Sequence, residues 1–144
     1  MKRLLIVTLA VLCLFLSACG KNTEAADDWG ITLEVHNPTP TGLELICTHQ
    51  GETGGELPFT GEEYRLEIRK NGKWQAVPYA VEGNVDWNAI GILIEENGTT
   101  ILPHDWEYLY GALPTGTYRI CKEFLRGTGD LLQRQMFYAE FTLP

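Results

Sequence analysis

Trp106-Glu107-Tyr108-Leu109-Tyr110-Gly111-Ala112-Leu113-Pro114-Thr115-Gly116-Thr117-Tyr118-Arg119-Ile120-Cys121-Lys122-Glu123-Phe124 is the stretch that decides the fold. Trp106, Tyr108 and Tyr110 alternate with Glu107 and Leu109, which predicts the end of a strand. Leu113-Pro114-Thr115-Gly116 then carries turn chemistry: Pro114 fixes one φ, and Gly116 is free to take a positive one. Beyond the corner, Tyr118, Ile120, Lys122 and Phe124 share one parity, the period of a half-buried strand.

Upstream of this corner the pattern is β throughout. Residues 30–36 alternate with β-branched residues and read as a strand. Residues 37–42 hold two prolines and form a rigid loop, because proline donates nothing to a ladder. Residues 43–49 read as a second strand, and residues 50–60 as an exposed loop rich in Gly and Glu. Residues 64–69 alternate cleanly, Asn71-Gly72 is a strong hairpin signal, and residues 73–78 return from it. Residues 79–94 lack a clean period and predict a weak strand or an irregular piece. Asn97-Gly98 marks a turn before residues 99–103. Downstream, residues 127–130 form a loop, and Phe137, Ala139, Phe141 and Leu143 share one face of the last strand.

About seven short strands separated by turn signals, with no convincing amphipathic helix, predict an all-β antiparallel sandwich. A tyrosine behind a Gly-containing corner, at the entrance to a late strand, is the tyrosine-corner arrangement of immunoglobulin-like sandwiches. From Gly30 onward the chain also resembles a bacterial immunoglobulin-like domain family, whose members are lipoproteins or exported proteins, mainly of Gram-positive bacteria. The residues that carry the resemblance are Gly30-Ile31-Thr32-Leu33, Pro40-Thr41-Gly42-Leu43, Asn71-Gly72-Lys73-Trp74, Trp106-Glu107-Tyr108-Leu109-Tyr110-Gly111 and Leu113 to Ile120. It implies an immunoglobulin-like fold and brings no catalytic motif.

Residues 1–19 give the address. Lys2 and Arg3 precede an apolar run from Leu4 to Leu16, and Ser17-Ala18 puts small residues before Cys19. This is the pattern of a secretory signal; the run is short of the roughly 20 residues a spanning helix needs. Leu16-Ser17-Ala18-Cys19 resembles the lipobox of bacterial lipoproteins. The resemblance implies cleavage between Ala18 and Cys19 and diacylglycerol on the Cys19 thiol; two acyl chains suffice for stable anchoring. The expected organisation is a signal peptide over 1–18, a polar tether over 19–29 and one sandwich domain over 30–144. A flexible tether of that length would hold the domain roughly 15–20 Å from the membrane.

Loss of Lys2 and Arg3 leaves nine basic against nineteen acidic residues. Such a surface repels nucleic acid and anionic headgroups, so no nucleic-acid partner is expected. The only serine, Ser17, lies in the signal, which removes a serine triad from the mature chain. Cys13 lies there too, leaving Cys47 and Cys121 beside the acylated Cys19. In an immunoglobulin-like reading these two fall in the strands that antibody domains bridge. Parity opposes the bridge, since Cys47 shares the inward face of Leu43 and Leu45 while Cys121 points outward. A strand bulge would permit it; otherwise both are free thiols, mid-strand and without a helix N-terminus to activate them.

No metal or other cofactor is expected. His36 sits beside a turn and His49 at the far end of its strand, some 20 Å away at about 3.4 Å per residue; zinc needs three or four convergent ligands. The carboxylates are scattered and follow no calcium-loop order. Asn97-Gly98-Thr99 fits a glycosylation sequon, and beside a lipobox reads more simply as a turn. Among the aromatics, Trp106, Tyr108 and Tyr110 are expected mainly in the core and Trp29 and Trp87 exposed. The expectation is a non-enzymatic lipoprotein on the extracytoplasmic face of the cell membrane, binding, adhering or scaffolding at the envelope. The alternative is a lipoprotein that captures a glycan or peptide in a pocket lined by Trp87 and Asp86.

Overall fold

The computed structural model describes residues 29–144. The signal peptide, the lipobox at Ala18 and Cys19 and nearly all of the expected tether lie outside the described residues. In chain order the strands are β1 (Ile31–Thr39), β2 (Gly42–His49), β3 (Phe59–Thr60), β4 (Arg65–Lys70), β5 (Lys73–Ala76), β6 (Ile92–Leu93), β7 (Thr99–Asp105), β8 (Gly116–Arg126) and β9 (Gln133–Leu143). One helical turn, α1 (Glu107–Tyr110), separates β7 from β8, and a 3-10 turn at Gly129–Leu131 separates β8 from β9.

These strands form two antiparallel sheets stacked as a sandwich. The first has the order β1-β2-β7. The second is built on β8, which pairs with β9 along its whole length. On its other side β8 meets β4 through residues 118–121 and β3 through residues 124–125. Beyond these lie β5, paired with β4 across the Asn71-Gly72 turn, and β6, paired with β3. Asn71 and Gly72 both take positive φ, as the tight hairpin requires.

The core lies where the inward parities of the two sheets meet. Leu43, Leu45 and Cys47 of β2 face Tyr118, Ile120 and Phe124 of β8 and Phe141 of β9 within one buried cluster. Trp106 is fully buried, its indole N–H donating to the Pro40 carbonyl at 2.8 Å, and its ring lies 5.8 Å from Phe141. The Tyr118 hydroxyl donates back to the Pro114 carbonyl at 2.7 Å, which closes the expected tyrosine corner.

Two expectations are corrected. Residues 106–110 do not continue a strand. The strand ends at Asp105, whose Oδ1 accepts the Glu107 N–H at 3.0 Å, and the Tyr110 N–H then closes on the Trp106 carbonyl at 2.8 Å. Spacing of four brings Trp106 and Tyr110 to the same buried side and leaves Tyr108 80% exposed. Trp29 is buried, not exposed; it packs on Phe137 with ring centroids 6.2 Å apart, so the folded body already includes the residue assigned to the end of the tether. Cys121 keeps its outward parity, yet its neighbours on the sheet cover it completely.

Candidate functional site

Cys47 and Cys121 are both free thiols. The first belongs to the core and the second to the outer face of β8, so the parity that opposed a bridge holds. Burial pushes each thiol up to about 12, far from thiolate chemistry at neutral pH.

A polar cluster interrupts the apolar interior. Lys122, whose inward parity follows from Tyr118, Ile120 and Phe124, is 0% exposed. Its ammonium donates to the Gly61 carbonyl and, at 3.0 Å, to that of Glu63. Burial lowers its pKa to about 8, although the carboxylates of Glu62 and Glu63 favour the charged form. The amine therefore acts as a staple, holding the turn before β4 onto β8 from inside. Nearby, Tyr64 donates to the Asp105 carbonyl at 3.2 Å, tying the second sheet to the end of β7. The Tyr110 hydroxyl accepts the Leu66 N–H at 3.2 Å, and burial raises both phenols above their ordinary range.

Over this cluster runs the segment between β5 and β6. Ala80 N–H bonds the Leu109 carbonyl at 2.7 Å, Tyr79 packs on Tyr110, and Trp87 meets Tyr64 edge to face at 5.2 Å. Between this segment and β8 lies an open groove of about 280 Å³ with Glu62, Glu63, Trp87, Asn88, Ile90 and Glu123 in its walls. Asn88 donates to Glu62 at 2.8 Å, and Arg134 pairs with Glu123 at 3.0 Å. The structure thus brings Trp87, half-buried, to the groove, while Asp86 lies outside its walls.

The histidines do not converge. His36 sits opposite Glu44 and His49 opposite Ile31, at the two ends of the β1–β2 ladder. His49 is buried and accepts the Asn97 N–H at 3.3 Å, fixing the turn that ends in Asn97-Gly98. Among the described residues no group of three or more His, Cys, Asp or Glu is placed to hold a metal ion. No helix among them is long and apolar enough to cross a membrane.

Two antiparallel sheets closed by a tyrosine corner define an immunoglobulin-like architecture, and the bacterial Ig-like domain family matches residues 27–142. The chain belongs to that family. No curated protein and no solved structure matches it. The Ig-like domains of this family are typically non-catalytic modules, and this one spends its aromatic side chains accordingly: most fill the interior between the sheets. Sequence reasoning had given Lys122 an inward parity without a role, and it overlooked the grouping of arginines on the outer face of the second sheet. The alternation Arg65-Leu66-Glu67-Ile68-Arg69 was the available signal for that face.

Proposed function

We propose that this Ig-like domain is a lipid-anchored module on the extracytoplasmic face of the cell membrane, serving in binding, adhesion or scaffolding at the envelope. Cys19 is the acyl acceptor in this reading, and the residues between it and Trp29 are the tether. The observation that carries the binding role is the filled interior: Trp106, Tyr118, Phe124 and Phe141 occupy the space between the sheets, and the groove beside Trp87 is open to solvent. Recognition then falls to the outer faces, edges and loops of the sandwich.

The test is detergent phase partitioning of the full chain produced in a lipoprotein-processing bacterium. The wild type should enter the detergent phase, and Cys19→Ala should move to the aqueous phase with its fold intact. Retention of Cys19→Ala in the detergent phase would overturn the anchoring.

A further inference from the structure

Residues 29–144 carry eight basic and sixteen acidic side chains, and the basic ones are not dispersed. Lys122 is buried in the core. Apart from Arg126, every other basic side chain lies on the outer face of the second sheet or on its β4–β5 hairpin: Arg65, Arg69, Lys70, Lys73, Arg119 and Arg134. That face also holds four carboxylates, Glu63, Glu67, Glu123 and Glu140, against its six basic side chains. An acidic domain therefore presents one positively charged face.

The face is built as a strip. Arg65 stands level with Cys121 of β8, Arg119 two residues further along, and Arg69 two residues beyond that. The three arginines alternate between β4 and β8, each offset by two residues or about 7 Å along the strand direction, and the row ends at Lys70 and Lys73, opposite each other in the hairpin. Aromatic rings order them. The Trp74 ring lies 4.7 Å from the Arg119 guanidinium and 5.8 Å from that of Arg69, and the Tyr138 ring lies 4.1 Å from Arg119 on β8. Arg119 is further held by Glu67. Arg65, Arg69, Lys70 and Lys73 make no ion pair among the described residues, so their charge is free for a partner.

We propose that this strip is a binding site for a linear phosphate-bearing polyanion. Guanidinium forks match phosphate oxygens two at a time. A row of regularly spaced charges on an open sheet face suits an extended chain of repeating anions rather than a compact ligand, which would need a pocket. The hairpin stands at the N-terminal end of β8, whereas Trp29, packed by Phe137 and Arg126, lies at its C-terminal end. The basic end thus points away from the point where the chain enters the domain. Meeting the polymer at the envelope rests on the anchored reading above; the binding itself does not.

Calorimetric titration of the detergent-solubilised full-length protein with sodium polyphosphate tests the site, with poly-glutamate of equal charge as the second ligand. Polyphosphate should bind at low ionic strength and weaken linearly in log–log form as salt rises. Arg65→Glu/Arg69→Glu should lower the affinity roughly tenfold or more, and Glu140→Lys, opposite Arg119, should raise it. Both variants are checked by thermal melting. Three results would each overturn the proposal: no polyphosphate binding at low salt, affinity indifferent to both variants, or tighter binding of poly-glutamate, which would assign the face to an acidic protein. A failure of Cys19→Ala to leave the detergent phase would leave this titration unaffected.

Discussion

His104 of the first sheet lies flat on Tyr64 at the entrance to the second, ring centroids 4.6 Å apart and planes within 12°. The imidazole Nδ1 donates to the Pro103 carbonyl at 2.9 Å, which leaves Nε2 as the lone-pair nitrogen, buried and without a hydrogen-bond partner. Burial lowers the His104 pKa to about 4, with the Lys122 ammonium adding to the effect and the Pro103 carbonyl opposing it.

This contact makes the sandwich acid-sensitive. A folded-state pKa below the ordinary 6.5 means that the unfolded chain binds more protons between the two values. The stabilisation is complete above pH 6.5 and is lost as pH falls through about 4. His104→Phe keeps the stack and removes the titration. Denaturant melts of both proteins should show the wild type losing about 2 kcal/mol relative to the variant over that interval, after allowance for partial solvent screening. Parallel pH profiles would contradict the assignment.

Lys122 acts at the other end of the scale. Its folded pKa of about 8 lies below the ordinary 10.5, so the desolvation penalty is present below pH 8 and relieved as pH rises toward 10.5. Relative to Lys122→Met, the wild type should gain about 3 kcal/mol across that window. Deprotonation of Cys47, Cys121 and the buried tyrosines is common to both proteins and cancels in the difference. A difference that does not change with pH would place the amine in water.

Tyr118→Phe removes one oxygen and leaves the Pro114 carbonyl without its side-chain donor. The expected cost is about 1–3 kcal/mol, seen as a lower midpoint in thermal melting with the β-sheet circular dichroism unchanged. An unshifted midpoint would mean that the corner is held by packing alone.

Neither Cys47 nor Cys121 should react with a thiol reagent in the native protein, and both should react in denaturant without any reductant. Absence of labelling in denaturant would reveal a bridge between them.

Much of the fold was legible because parity along a strand is a strict code. Tyr118, Ile120, Lys122 and Phe124 were assigned one face by spacing alone, and all four are buried on it. The Asn71-Gly72 hairpin and the corner at Pro114 were equally clear, since each needs backbone angles that few residues supply. Residues 106–110 misled because a five-residue stretch with aromatic residues at every second position also places its first and last members on one side of a single helical turn. Trp29 misled because it follows a polar, patternless run, and partners that draw it into the body include Phe137 and Arg126, more than 90 residues later. The arginine strip escaped notice for a related reason. Arg65 and Arg119 become neighbours only through the β4–β8 register, which no local window contains.

Intact-mass spectrometry of the protein extracted from membranes of a lipoprotein-processing bacterium bears most directly on the anchored-module account. It should return a chain that begins at Cys19 and carries a diacylglycerol group on that residue. A chain that begins elsewhere, or at Cys19 with no added lipid, would contradict it.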